Sequence, residues 1–179
     1  LDLAVPAVHC DIPLGDKQKE VLELATTFES ERLVWHGWPQ DEDYATLQGI
    51  KRLAKRYNKA NEIVRAKGLR FGIHNHWWEF ETSGEHYPYQ VLLAEMDDSI
   101  FFEVDTYWVK TAGLDPAEVV TQLGDRARLL HLKDGPAQKG QAMVAAGQGS
   151  MDFAAILQGA TSPEWLILEM DECDTDMLE

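Results

Sequence analysis

The feature that most constrains the fold of this chain is a repeated alternation of short apolar runs with amphipathic segments. Six runs have the apolar, β-branched composition of buried strands, at residues 3–8, 32–35, 70–73, 100–104, 128–130 and 165–168. Segments with the spacing of helices lie between them. Strands that alternate with helices through short connections form a parallel sheet covered by helices, so the sequence predicts an α/β fold.

Three of the helices are marked clearly by their residues. The first has an apolar stripe over residues 44–64 and ends at Gly68. The second begins at Asp115-Pro116, a capping residue followed by a proline that suits the first helical position. The third follows Asp152, another capping side chain. Gly147-Gln148-Gly149, which precedes this cap, is interpreted as a plain turn and not as a dinucleotide-binding loop.

A titratable side chain follows each of the six apolar runs: His9, His36, His74, Asp105, His131 and Glu169. In a parallel sheet the C-terminal strand ends lie on one side, where barrel enzymes have their active sites. A single histidine at a strand end is more often structural than functional. Burying all six groups without a function would be costly unless each were paired, so the pattern favours a functional site.

Imidazole and carboxylate groups together are ligands for Mn²⁺, Mg²⁺, Co²⁺ or Zn²⁺. Asp105, His131 and Glu169 follow successive strands and suit a mixed nitrogen and oxygen site with open positions. The sequence contains no HExxH or CxxC motif, no GxSxG motif and no Walker or Rossmann glycine loop. These absences argue against helix-borne or thiolate zinc sites and against nucleotide cofactors.

Aromatic residues and one lysine add information on the substrate. Five tryptophans fall at or just after a strand end, where flat rings can stack on sugars: Trp35, Trp38, Trp77, Trp78 and Trp108. The alternative is that Trp35 and one of the adjacent pair belong to the core. Trp108 is the candidate for substrate contact. Lys133 either polarises a substrate oxygen or pairs with Asp134, and its position favours the first role.

Charge and cysteine content bound the partners and the compartment. The chain has 179 residues and a net charge of −15, which disfavours binding to nucleic acid or to anionic membranes. Its apolar runs are too short to span a bilayer, and no leader sequence is visible. Two cysteines are too few for a disulfide framework. We therefore expect a cytoplasmic protein with unpaired thiols.

Five segments, in order along the chain, resemble motifs of the xylose-isomerase-like sugar phosphate isomerase/epimerase family. The corresponding family motifs are HNHxxEF, VDxxW, HLKD, GxGxxDF and VExD, and the segments are residues 72–80, 102–109, 131–134, 147–153 and 168–171. The resemblance implies a (β/α)8 TIM barrel that holds one divalent metal ion, with Mn²⁺ as the first expectation. It also implies that Asp105, His131 and Glu169 are ligands.

The fourth ligand departs from the family pattern. Other branches place a glutamate where this chain has His74, so either His74 binds the metal or Glu79, five residues later, supplies the carboxylate. We favour Glu79, with His74 and His76 contacting substrate oxygens. His9 and His36, which follow earlier strands, are further substrate-binding candidates.

Length is a second departure, since this fold usually needs about 250 residues. We expect residues 1–179 to form a single barrel domain of about six βα units, truncated at both ends and lacking the first two strands. Open sheet edges invite association. The chain is therefore expected either to be a fragment or to depend on partner chains, as in a homo-oligomer.

The resemblance implies proton transfer next to a carbonyl of a sugar or keto-sugar through an enediolate, that is, isomerisation or epimerisation. Glu169 would serve one face of the substrate, and Glu79 or His74 the other. A lyase or dehydratase acting on a keto-sugar, an inosose or a 3-keto-glycoside would use the same chemistry and is the first alternative. A metal-free sugar-binding or scaffold protein is an alternative of another class. An endonuclease on the same barrel is disfavoured by the negative charge.

Overall fold

The structure, a computed structural model, describes residues 3–174, and these residues form two compact units that meet between Phe102 and Glu103. The strand β4 (Phe101–Asp105) crosses the boundary between them. Each unit is built from strands that alternate with helices, so the predicted α/β organisation is confirmed.

The first unit contains three strands with their helices. In chain order the elements are β1 (Val8–Cys10), α1 (Lys17–Thr27), β2 (Arg32–Trp35), a 3-10 turn (Glu42–Ala45), α2 (Leu47–Arg65), β3 (Arg70–His74) and α3 (Pro88–Glu95). β2 pairs in parallel with β1 on one side and β3 on the other, with Val34 opposite both His9 and Gly72. Strands that are neighbours in the chain are therefore neighbours in this part of the sheet.

Helix α2 follows the predicted stripe closely. It begins after Thr46, whose side chain accepts a hydrogen bond from the backbone N–H of Gly49. Its apolar face is buried, with Ile50 and Val64 at 0% exposure. Gly72 in β3 lets the core close, because a Cβ atom there would lie 2.4 Å from the ring of Phe101. These contacts fix the direction in which β3 ends.

The second unit contains α4 (Thr106–Thr111), α5 (Pro116–Leu123), a 3-10 turn (Gly124–Arg126), β5 (Ala127–Leu132), α6 (Phe153–Gly159) and β6 (Trp165–Leu168). β5 and β6 pair in parallel. Both predicted caps are confirmed: Asp115 accepts from the backbone N–H groups of residues 117 and 118, and Asp152 accepts from that of residue 155. The apolar face of α5 is buried, as its spacing requires.

Two positions predicted from the strand ends were wrong in detail. The first strand covers Val8–Cys10 and not residues 3–8, because Pro6 has no N–H to donate to a ladder. His9 therefore lies within β1 and His131 lies within β5, whereas they were expected just after those strands. His74 and Asp105 are the last residues of β3 and β4. Boundaries shift by a residue or two because the apolar pattern continues through the polar side chain.

Cys10 and Cys173 form no disulfide in the part of the chain that the structure describes, and Cys10 is buried in the core of the first unit. Burial raises the pKa of the Cys10 thiol to about 12, so this group stays protonated and unreactive. Among the described residues, no helix is long and apolar enough to cross a membrane.

Candidate functional site

The second unit brings together three of the predicted site residues. One potential ligand atom from each of Asp105, His131 and Glu169 lies within 4.8 Å of the others. Lys133 completes what we call the carboxylate–histidine cluster, with Nζ 2.9 Å from both Asp105 Oδ2 and Glu169 Oε2. Parallel strands whose side chains alternate from face to face explain how residues distant in sequence meet here.

Asp105 is held by the start of the helix that follows it. Its Oδ1 accepts a hydrogen bond from the backbone N–H of Trp108 at 3.0 Å, so it caps α4. The other oxygen, Oδ2, lies beside the ammonium of Lys133. Asp105 is 0% exposed. A single carboxylate therefore anchors a helix through one oxygen and presents the other to the cluster.

His131 lies between two carboxylates. Its Nδ1 is 2.6 Å from Glu169 Oε2, and its Nε2 is 3.1 Å from Glu103 Oε1. Burial alone would lower the pKa of the imidazole, but the hydrogen bonds to Glu103 and Glu169 outweigh it and raise the pKa to about 10. Without a metal ion, the ring therefore carries a positive charge at neutral pH.

Lys133 is the buried cation of the cluster, with 3% of the residue exposed. Besides Asp105 and Glu169 it binds Asp171, with Nζ 2.7 Å from Oδ2. The ammonium also lies 5.5 Å from the centroid of the Trp108 ring, within the range of a cation–π contact. Burial lowers the pKa of Lys133, but the charge of Asp105 and the contact with Asp171 raise it above its usual range.

Glu169 is the most accessible member, since 38% of its side chain is exposed. The hydrogen bond from His131 and the charge of Lys133 outweigh partial burial and lower the pKa of Glu169 to about 2. The carboxylate is therefore ionised at neutral pH, and its exposure leaves it open to a bound small molecule.

Asp134 was considered from the sequence as an ion-pair partner of Lys133, but in the structure it binds the backbone of a loop. It is 2% exposed, and its carboxylate accepts hydrogen bonds from four backbone N–H groups, those of Gly135, Gly147, Gly149 and Met151. Gly149 is required by this closeness, because a Cβ atom there would lie 2.2 Å from Asp134 Oδ1. The predicted turn is thus wrapped around a buried carboxylate, which fixes the loop that follows Lys133.

The first unit brings other predicted residues together in what we call the histidine–tryptophan cluster. Five of its members are linked by ring contacts, and His36 joins them through the backbone N–H of Trp38; the five are His9, Trp38, His74, His76 and Trp78. The rings of His9 and His74 are 5.0 Å apart, and those of His74 and His76 are 5.3 Å apart. His76 stacks on Trp78 at 4.4 Å. Gly37, with φ of 77°, allows the loop to pass close by, since a Cβ atom there would lie 2.9 Å from the carbonyl oxygen of His74.

The tryptophans of this cluster differ in exposure. Trp38 is 54% exposed, whereas Trp78 is 3% exposed and belongs to the core. The alternative that one of the adjacent pair of tryptophans is a core residue is therefore confirmed, whereas Trp35, which it also placed in the core, is only half-buried. The backbone N–H of Trp38 donates to Nδ1 of His36 at 3.1 Å, and burial lowers the pKa of that imidazole. His36 is thus expected to be neutral at neutral pH.

Glu79 is buried beside this cluster, with 3% of the residue exposed. Its Oε2 accepts a hydrogen bond from the backbone N–H of His76 at 2.9 Å, which closes the turn after β3. Burial raises the pKa of Glu79 to about 8, although the backbone N–H of His76 and the Tyr44 hydroxyl work in the opposite direction. The carboxyl group therefore holds its proton over much of the neutral range.

Three acidic residues with a part in the second unit were not predicted: Glu103, Asp171 and, in its loop-holding role, Asp134. A signal for Glu103 was present, since it is two residues from Asp105 in the same strand, and that spacing places side chains on the same face. Asp171 lies beyond the end of β6, so the spacing gave no such signal for it. Asp134 could not be found in this way, because its partners are backbone groups of a distant loop.

The donor set of the carboxylate–histidine cluster fits a divalent metal ion. One imidazole nitrogen and two carboxylates converge within 4.8 Å, and such mixed ligands suit several divalent ions. Their net negative charge is balanced in this structure by Lys133.

Parallel strands with polar cluster residues at their ends define an α/β protein of the barrel class. The chain belongs to the xylose isomerase-like TIM barrel family, whose model matches residues 16–176. This confirms both the family resemblance and the predicted barrel fold. A search of curated proteins found no match.

Solved structures with the same fold include several enzymes. A sugar phosphate isomerase/epimerase from Parabacteroides distasonis is 22% identical, covers 97% of this chain and 65% of its own, and has a TM-score of 0.74. A probable 3-DHS dehydratase from Bacillus anthracis is 15% identical, and the match covers 93% of this chain and 70% of the dehydratase, with a TM-score of 0.74. An L-ribulose 3-epimerase is 17% identical, and the match covers 96% of this chain and 64% of the epimerase, with a TM-score of 0.64. The chain thus spans about two thirds of the length of these structures.

Proposed function

We propose that the protein is a divalent-metal-dependent isomerase or epimerase that moves a proton next to a carbonyl of a sugar or keto-sugar. The observation that carries this proposal is the convergence of Asp105, His131 and Glu169 within 4.8 Å. The family includes solved sugar isomerases and epimerases, which supports the substrate class.

Asp105, His131 and Glu169 would hold the ion, and Mn²⁺ is our first expectation, with Mg²⁺, Co²⁺ or Zn²⁺ as alternatives. When bound, the metal supplies Lewis acidity that stabilises negative charge developing on adjacent substrate oxygens. Asp105 is already fixed by its hydrogen bond from Trp108, so its other oxygen, Oδ2, which faces Lys133, needs little reorganisation to act as a ligand.

Glu169 is the group we assign to proton transfer on one face of the substrate. The carboxylate is ionised at neutral pH, so it can accept a proton, and its partly exposed side chain can reach a substrate, which the fully buried Asp105 cannot. Lys133, beside Glu169, would polarise a substrate oxygen, and Trp108 would cover a C–H face of the sugar.

For the other face we propose Glu79 or His74, and for substrate binding His9, His36, His74 and His76. Glu79 has a pKa near 8, which suits a group that holds and releases a proton near neutral pH. His74 is 6% exposed and ends β3. We favour Glu79 as the fourth metal ligand, as the sequence suggested.

The proposal is tested by exchange of substrate hydrogen with solvent. The protein is loaded with Mn²⁺ and incubated in D₂O with a panel of ketoses, keto-glycosides and inososes, and deuterium at carbon is measured by NMR and mass spectrometry. Deuterium should enter one position of at least one substrate, and Glu169→Gln should abolish this. Metal-loaded protein that exchanges no substrate of the panel would contradict the isomerase and lyase assignments together.

A dehydratase or lyase is the second candidate, favoured by the match to a probable 3-DHS dehydratase. The same proton removal would then be followed by loss of water or of a glycoside. Loss of mass from the substrate distinguishes this outcome from isomerisation, which conserves mass. A non-catalytic sugar-binding protein would bind sugar but would cause neither deuterium exchange nor a loss of substrate mass.

We also propose a cytoplasmic location and no nucleic-acid partner. A reducing compartment is consistent with Cys10 and Cys173 forming no disulfide among the described residues, and the net charge of −15 opposes binding to phosphate backbones. We further propose that the chain can form a homo-oligomer, which sedimentation analysis would detect.

A further inference from the structure

We infer that Glu103 is a positioning residue of the metal site, which holds Nε2 of His131 so that Nδ1 is the nitrogen presented to the metal ion. This inference rests on the proposed function, because it takes His131 to be a ligand. Glu103 itself is assigned no contact with the metal ion or the substrate.

The two nitrogens of His131 face different surroundings. Nε2 lies 3.1 Å from Glu103 Oε1, while Nδ1 lies on the side of Glu169, at 2.6 Å from its Oε2. The ammonium of Lys133 also lies on the Glu169 side, 2.9 Å from that same oxygen. The predicted ligand atoms therefore gather on the Nδ1 edge of the ring, and Glu103 holds the opposite edge.

The chemistry of imidazole makes this arrangement decisive. A neutral ring carries one proton, and the nitrogen without the proton is the one that can bind a metal. A metal ion bound at Nδ1 would replace the proton that Nδ1 shares with Glu169, and Glu103, which accepts from Nε2–H, would keep the remaining proton on Nε2. Carboxylates in this relation to a metal-bound histidine fix its tautomer and orientation and make it a stronger ligand.

The backbone explains why Glu103 can act in this way. Glu103 and Asp105 are two residues apart in β4, so their side chains leave the strand on the same face. Both are buried, with exposures of 1% and 0%. One strand thus supplies a direct ligand and the support of a second ligand.

The test compares two variants of similar volume. Glu103→Met removes the acceptor, and Glu103→Gln keeps an oxygen that can accept from Nε2–H. Binding of Mn²⁺ alone is measured by calorimetry and by electron paramagnetic resonance. We expect the dissociation constant to rise about 10–100-fold in Glu103→Met, the usual effect of removing such a support, and to change only a few-fold in Glu103→Gln.

Asp134→Asn is the matched control, because Asp134 is also a buried carboxylate of the second unit but binds the backbone of a loop. Its affinity for Mn²⁺ should match that of the unchanged protein. The nitrogen that binds the metal is identified with Zn²⁺ by ¹⁵N NMR of His131. The unchanged protein should show a proton on Nε2 and the metal on Nδ1, and Glu103→Met should lose this single pattern.

The outcomes separate this inference from the proposed function. If the unchanged protein binds neither Mn²⁺ nor Zn²⁺, the proposed metal site itself fails. If it binds them, and Glu103→Met binds equally well through the same nitrogen, only the role of Glu103 is overturned, even if the variant unfolds at a lower temperature. Equal loss of affinity in Glu103→Gln would overturn it too, since charge and not the hydrogen bond would then be responsible.

Discussion

Replacement of Lys133 by methionine should strongly destabilise the metal-free protein. Lys133 is 3% exposed, and its ammonium lies within 2.9 Å of carboxylate oxygens of Asp105, Glu169 and Asp171. Methionine keeps most of the length of the side chain but removes the charge. Asp105, which is 0% exposed, would lose the cation that offsets its burial.

The expected magnitude follows from the burial of this charge. Removing one partner of a buried ion pair costs about 3–5 kcal/mol, because the remaining charge stays buried without compensation. In a chain of this size each kcal/mol lowers the unfolding temperature by about 2–4 °C. The unfolding temperature of Lys133→Met should therefore fall by roughly 6–20 °C.

The assay is thermal and urea unfolding in the presence of a chelator, followed by circular dichroism. Lys59→Met is the matched control, because Lys59 forms an ion pair with Glu62 at 2.7 Å on an exposed face of α2. Exposed pairs contribute about 0–1 kcal/mol, so this variant should be close to the unchanged protein. A loss in Lys133→Met no larger than in Lys59→Met would refute the reasoning. Added Mn²⁺ should restore more stability to Lys133→Met than to the unchanged protein, because the ion supplies the missing positive charge.

Four further predictions concern the site and its loop. Replacement of Asp105, His131 or Glu169 by alanine should lower the metal content of the purified protein at least about 10-fold, as measured by elemental analysis. A variant that keeps full metal occupancy would refute the assignment of that residue as a ligand. Glu79→Ala should lower metal content more than His74→Ala, and the reverse order would make His74 the fourth ligand. Trp108→Ala should keep the metal and raise the KM for substrate without a comparable fall in kcat. Burial raises the pKa of Asp134, but its four backbone N–H donors outweigh burial and lower the pKa. The stability from Asp134 is therefore present above its unfolded value of about 4 and is lost as the pH falls through the folded pKa. In Asp134→Asn the free energy of unfolding should therefore fall less steeply as the pH is lowered than in the unchanged protein. An equal pH dependence in the two proteins would contradict this prediction.

The sequence by itself determined the class of fold and most of the candidate ligands. The stripe over residues 44–64 predicted the helix that the structure places at Leu47–Arg65, and the caps at Asp115 and Asp152 were predicted too, because a helical face and a capping side chain are local properties of the chain. Asp105, His131 and Glu169 were selected because parallel strands present their ends on one side. This argument needs only the order of the strands and no distances.

The tertiary structure decided which side chain holds which. The sequence offered Asp134 as the ion-pair partner of Lys133, whereas the ammonium binds Asp105, Glu169 and Asp171. Asp134 in turn accepts from loop N–H groups up to 17 residues away. The partner of a buried charge depends on distances of a few tenths of an ångström between residues far apart in the chain, and a one-dimensional pattern carries no such information.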